Sequence, residues 1–180
     1  MAKLTPQQVL GNKFEVWLEE LYSGLGKRGV RRNVVYHRSR YAFRQVDVEY
    51  RDFHIINSLV IVEAKYLKKD KLRPRVRRKK KKTGQRIKSI DTILEEVEER
   101  RRFVKARKAI IVTNNDYTKS FYEEAERFGR IELYTMEDLE KLEKKRRGAK
   151  RFFVKGMPIE KQIRGVSLRK YDLSPTREYI

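Results

Sequence analysis

The 180-residue chain has no cysteine, which excludes disulfides and thiolate metal sites. Histidine is almost missing as well. His37 and His54 stand far apart, so a zinc centre or a histidine-based triad has little to draw on, and both read as ordinary surface residues. No apolar run approaches the ~20 residues that span a bilayer, and the N-terminus lacks a signal-peptide pattern. The expectation is a soluble, cytoplasmic protein without a membrane partner. There is no internal repeat, no P-loop and no dinucleotide fingerprint, so no nucleotide cofactor is expected. Asn and Gln are sparse while Lys, Arg and Glu abound, a mix that leans toward a thermophilic source.

Negative charge is also scarce: 25 Asp and Glu face 46 Lys and Arg, for a formal net charge of +21. Charge of this size concerns partners and not fold, and the commonest polyanionic partner is nucleic acid. The segment from Lys68 to Lys88 holds thirteen Lys or Arg against one acid, Asp70, and supplies +12 of that total. Its candidate phosphate contacts are Lys68, Lys69, Lys71, Arg73, Arg75, Arg77, Arg78, Lys79, Lys80, Lys81, Lys82 and Arg86. Like charges at this density repel, and Pro74 and Gly84 break regular structure, so residues 68–83 read as a basic loop, flexible in the free protein. A localisation-like or merely solubilising run has the same composition.

Carboxylates appear where buried strands should carry none. Gln45-Val46-Asp47-Val48-Glu49-Tyr50 alternates as a strand, with Val46 and Val48 on one face and Gln45, Asp47 and Glu49 on the other. Leu59-Val60-Ile61-Val62 is apolar on both faces, as suits an internal strand, and Glu63 and Lys65 then leave from one face at its C-terminal end. Two acids and a lysine converge. The same three residues also suit a structural ion pair at a strand end, and a second acid-x-Lys triplet, Glu143-Lys144-Lys145, lies on an exposed helix.

Asp47 followed by Glu63-Ala64-Lys65 resembles the active-site motif of the PD-(D/E)XK nuclease superfamily, the restriction-endonuclease-like fold. Val46 stands where that motif has proline, which is not a ligand. The resemblance implies Mg²⁺, with Mn²⁺ substituting, held by Asp47, Glu63 and the backbone carbonyl of Ala64, and Lys65 acting on the attacking water. Hard carboxylate oxygens suit Mg²⁺, and a metal makes hydroxide available near neutral pH beside an anionic phosphodiester. Gly11-Asn12-Lys13-Phe14-Glu15 resembles the first-helix motif of archaeal Holliday-junction resolvases, in which the Glu points at the metal site. An ordinary glutamate bordering an apolar stripe would read the same as Glu15. Ser39 corresponds to a serine upstream of the first acid in those resolvases.

The order of elements agrees with that fold. Thr5-Pro6-Gln7-Gln8 opens a helix with a capping box and proline at its first position, and Leu10, Phe14, Trp17, Leu18, Leu21 and Leu25 share one helical face. Strands follow at Asn33–His37, at the Asp47 segment and at the Glu63 segment. Ile87, Ile90, Leu94, Val97 and Val104 predict a helix from Gly84 to about Arg107. After it come a buried strand at Ala109–Thr113, a helix from Thr118 to Phe128, a strand at Ile131–Tyr134, and a helix opened by the Thr135-Met136-Glu137-Asp138 box and running to Gly148. Ile111-Val112-Thr113, Ala125 and Ile131-Glu132-Leu133 resemble the second half of Mrr-type restriction endonuclease domains. Phe152-Phe153-Val154 reads as an added strand.

These observations predict an α/β fold: a mixed central sheet of four to six strands flanked by helices, with an αβββαβ core. Residues 1–148 form the nuclease-like domain, and residues 149–180 a C-terminal extension serving as a dimer contact or DNA-binding arm. The expected function is Mg²⁺-dependent endonucleolytic cleavage of duplex or branched DNA by a homodimer, structure-specific or restriction-type, from an archaeal or viral source. The alternative is a non-catalytic nucleic-acid-binding protein on a nuclease-like scaffold.

Overall fold

The computed structural model describes residues 4–52, 57–67, 92–146 and 156–180. Helix α1 (Pro6–Gly24) starts as its sequence dictates: Thr5 caps it, Pro6 occupies the first turn, and the Thr5 and Gln8 side chains close a reciprocal capping box. Its apolar face buries Phe14, Trp17, Leu18 and Leu21 completely, together with Val16 and Tyr22. Strands β1 (Arg28–His37), β2 (Phe43–Asp52) and β3 (Ser58–Lys65) follow as an antiparallel meander. Helix α2 (Thr92–Phe103), β4 (Lys108–Thr113), α3 (Lys119–Glu126), β5 (Ile131–Tyr134) and α4 (Met136–Lys144) complete the expected series, with β4 and β5 parallel to β3.

Residues 156–180 fold back onto the same body. Helix α5 (Ile159–Gly165) packs on α1, where the buried Trp17 indole N–H donates to Gln162 Oε1 at 3.2 Å. Strand β6 (Thr176–Tyr179) pairs parallel with β1 and completes a six-stranded sheet of order β5-β4-β3-β2-β1-β6. His37 takes part in that docking by stacking on Tyr179. The region expected to carry an added strand, Phe152–Val154, and the start of the helix expected from Gly84 lie outside the described residues. α2 ends at Phe103, short of Arg107, because Lys105 takes a left-handed conformation (φ 57°) that a helix cannot continue through. α4 likewise ends at Lys144 and not Gly148.

The sheet separates two cores. α1, α4 and α5 cover Val48, Tyr50, Val60, Val62, Ile110 and Val112, while α2 and α3 cover Val34, Tyr36, Val46, Ile61, Ala109 and Ile111. Val46 and Val48 therefore face opposite sides, against the expectation that they share one. β1 explains the change. Asn33, opposite Asp47 between the pairs Arg32↔Val48 and Val34↔Val46, has φ 54°. One residue in the left-handed region inside a strand rotates the alternation, as a bulge does, and Asn tolerates it better than most. The Asn33 side chain supports this turn of the backbone, donating to Leu173 O at 2.8 Å and accepting from Gln45 Nε2 at 2.7 Å. Asp47 thus sits where β2 changes face.

Candidate active site

Regular pairing of β2 with β3 stops at Val48↔Val62, one step before Asp47 would meet Glu63. The next inward N–H on β3, that of Ala64, finds no β2 carbonyl and donates to Asp47 Oδ2 at 2.9 Å. A strand N–H must be satisfied. Here a side chain does it, and the bond fixes the Asp47 carboxylate against β3.

Glu63 is nearly buried. Lys65 Nζ donates to its Oε1 at 2.5 Å, and the Arg100 guanidinium, from the last turn of α2, donates to its Oε2. Arg100 is itself mostly buried, and its Nε has no hydrogen-bond partner among the described residues. Burial lowers its pKa from the ordinary arginine value, with the Asp47 charge opposing that shift and Arg44 adding to it. Thus the structure brings Asp47, Glu63 and Lys65 together at the C-terminal end of β3 and adds one cation, Arg100.

Sequence reasoning missed Arg100. The signal was present: Ile93, Val97, Arg100 and Val104 fall three to four residues apart, so Arg100 is a cation inside the apolar stripe of α2. Arg101 and Arg102 beside it disguised the position. Those two pair with Glu98, and Arg101 also donates to Ala106 O at 2.8 Å, so they lock the end of the helix. Glu49 is structural as well. It is 1% exposed and accepts from Arg31 and from the Tyr36 hydroxyl at 2.7 Å.

Glu15 approaches from α1. Burial first, then the negative charge of Asp47, raise its pKa to about 8, with Arg32 and Lys65 pulling the other way. In the metal-free protein Glu15 is therefore largely protonated at neutral pH. Its contribution to stability is fully present below the unfolded value near 4.5 and is lost as pH rises toward 8, because only the unfolded chain ionises freely in that window. The loss is on the order of 2–3 kcal/mol after discounting for partial exposure. Thermal denaturation in EDTA should show Glu15→Gln gaining on wild type steadily between pH 5 and pH 8.5. Parallel curves for the two proteins would contradict the assignment.

Ser39 does not join the site. It lies in the exposed hairpin between β1 and β2, where its hydroxyl accepts from the Ala42 N–H at 3.2 Å. A turn at that point needs a local acceptor, and Ser39 supplies it. The proposed phosphate contacts Lys68, Lys69, Lys71, Arg73, Arg75, Arg77, Arg78, Lys79, Lys80, Lys81, Lys82 and Arg86 lie outside the described residues. The chain leading to them is pinned: Asn114 exchanges two hydrogen bonds with the Leu67 backbone, and Gln7 donates to Tyr66 O at 2.6 Å.

Among the described residues, no three His, Cys, Asp or Glu side chains assemble into a metal cage. Two fixed carboxylates on adjacent strands nevertheless fit a hard divalent ion, which takes few protein ligands and keeps several waters. Both oxygens of Glu63 carry cationic partners, so positive charge already stands where such an ion would be held.

Among the described residues, no helix is long and apolar enough to cross a membrane. No curated protein matches the chain. Among solved structures it is similar to a protein of unknown function, AF1548, at 13% identity and TM-score 0.52, covering 73% of this chain and 65% of that one. It is also similar to protein VC1899 from Vibrio cholerae, at 17% identity and TM-score 0.45, covering 74% of this chain and 30% of that one. The chain thus spans less than two thirds of either protein, and the first likeness speaks to fold alone. A family model described as restriction endonuclease, of the Mrr catalytic type, matches residues 7–142. The match takes in all but the first residue of α1, all the strands through β5 and most of α4, and the chain belongs to this restriction-endonuclease family.

Proposed function

We propose that this protein is a divalent-metal-dependent endonuclease that hydrolyses DNA phosphodiesters. Family membership supports a restriction-endonuclease-type nuclease and, with it, DNA as the substrate. The observation that carries the finer reading is the Asp47 carboxylate held by the Ala64 N–H beside Glu63 and Lys65. Asp47, Glu63 and the Ala64 carbonyl would hold Mg²⁺ or Mn²⁺. When bound, the ion neutralises phosphate charge and lowers the pKa of water.

The remaining roles belong to the chain's own side chains. Lys65, about a third exposed, reaches from the buried Glu63 toward solvent and places a positive charge where a water would attack. Protonated Glu15 limits the negative charge that collects around Asp47 before an ion arrives. The basic segment begins at the fixed Tyr66-Leu67 step, directly after Lys65, and would supply affinity for the DNA backbone without sequence information.

Incubation with supercoiled, linear, single-stranded and four-way-junction DNA, with and without Mg²⁺, tests this reading. Cleavage only with the ion supports it; undiminished cleavage in EDTA, or none on any substrate, overturns it. Preference for the junction would favour the resolvase-like branch suggested by the Gly11 to Glu15 motif, and preference for linear duplex the restriction-type branch favoured by the family.

Lys65 should differ from the neighbouring basic residues. Lys65→Ala is expected to slow cleavage by at least ~100-fold, the lower range for a positioned catalytic group, with little change in DNA affinity. Lys69→Ala should barely alter the rate. Equal effects in single-turnover assays would remove Lys65 from the mechanism.

A further inference from the structure

A second concave site lies at the other end of β3. A cavity of about 890 Å³ opens beside Ser58 and Leu59, between the end of α2 and the turns that enter β4 and β5. Its volume falls in the range of small-ligand sites, roughly 300–1,000 Å³. Leu59, Val104, Ala106 and Tyr36 give it apolar and aromatic walls; Ile180, the last residue of the chain, also lines it, and among the described residues no acidic side chain does. From Ser58 to Glu63 is five strand residues, roughly 16 Å, so a small ligand here would not touch the candidate active site.

The cations around this cavity fall into two groups. Arg101 and Arg102 are held by Glu98, and the buried Glu49 behind Tyr36 is balanced by Arg31. Arg51, Lys105, Arg107 and Arg130 also line it, are exposed, and have no carboxylate partner among the described residues. Four unpaired cations around one concavity repel one another and focus a positive field into it, a cost that a bound anion would relieve.

Lys105 is the independent observation. It occupies the left-handed position closing α2, where Ala106 N–H reaches back to Arg101 O at 2.9 Å, a place usually given to glycine. A lysine there is less comfortable than glycine, yet it keeps a cation at the cavity mouth.

We infer that this cavity binds a phosphorylated nucleoside, either free or as the terminal nucleotide of a strand: the arginines and Lys105 would take the phosphate, and the Tyr36 and aliphatic walls the base or sugar. The inference does not rest on the nuclease reading.

Calorimetry in EDTA, at moderate salt and in an Asp47→Asn background, tests it with four probes: adenosine, adenosine 5′-monophosphate, and one short single strand with and without a 5′-phosphate. The phosphorylated member of at least one pair should bind at least ten-fold more tightly than its partner, and Arg107→Glu/Arg130→Glu should erase that preference. Lys144→Glu/Lys145→Glu, which makes the same change in net charge at the exposed C-terminal end of α4, should leave it intact. Lys105→Gly should weaken binding several-fold while raising the melting temperature, a combination that a purely structural lysine would not produce. Preference confined to the mononucleotide pair identifies a free nucleotide as the ligand, and preference confined to the strands identifies a strand end. Equal effects of the two double variants, or no phosphate preference in either pair, would overturn the inference.

Discussion

Asp47→Asn is expected to reduce DNA cleavage by far more than the ~100-fold that loss of an outer-shell partner costs, while the fold and DNA binding survive. Asparagine is chosen over alanine for a structural reason. The Ala64 N–H donates to Asp47 Oδ2, and the Asn amide oxygen can accept the same bond, whereas alanine would orphan a partly buried N–H at a cost of about 1–3 kcal/mol. The Asn variant thus removes charge from the site and little else. DNA affinity should hold or rise, since one negative charge near the phosphate is gone. Glu63→Ala is a poorer probe because it leaves the largely buried Arg100 without its carboxylate, so lost activity would be mixed with lost stability. The measurement is cleavage rate in Mg²⁺ beside binding in EDTA, with melting temperature as the control for folding. Cleavage within ten-fold of wild type by a folded Asp47→Asn protein would take Asp47 out of the site.

Much of this arrangement was legible in the sequence because its signals are local. The Thr5 to Gln8 box marks the start of α1, the Thr135 to Asp138 box marks α4, and Leu59 to Val62 reads as an internal strand because both of its faces are covered. Glu63 and Lys65 follow from that strand by period-two alternation alone. What was not legible depends on residues distant in sequence. The face change at Asp47 is coupled to the backbone of Asn33 on another strand, and nothing in Gln45 to Tyr50 announces it. The parallel pairing of β6 with β1 joins Thr176 to Val34, and a short polar strand such as Thr176–Tyr179 has no apolar alternation to reveal it. Ser39 was placed by analogy, but a hydroxyl in a tight hairpin finds its partner within the turn. Arg100 was concealed by two neighbours of the same type, and only the packing of α2 on the sheet separates it from them.

That packing gives Arg100 the other large expected effect. With 20% of its side chain exposed against 9% for Glu63, the pair is mostly out of water, and breaking such a pair from one side costs about 3–5 kcal/mol. Lys65 still serves Glu63, so the lower end applies. Arg100→Met keeps most of the apolar stem that fills the α2 stripe and removes the charge. In EDTA this variant should lose about 3 kcal/mol, which for a chain of this size is a fall in melting temperature of roughly 6–12 °C. Divalent ions then separate two roles for the arginine. If Arg100 occupies charge space that Mg²⁺ must take over, the ion binds the variant more tightly, and stabilisation by ligand grows with the ratio of free ion to Kd. Added Mg²⁺ should therefore raise the melting temperature of Arg100→Met by several degrees more than that of wild type. A ten-fold tighter site, seen by calorimetry without DNA, would be the matching result. A fall of less than about 2 °C in EDTA would mean that the Arg100 to Glu63 contact contributes little to the fold. Equal Mg²⁺ shifts in the two proteins would mean that the ion and the guanidinium do not compete for Glu63.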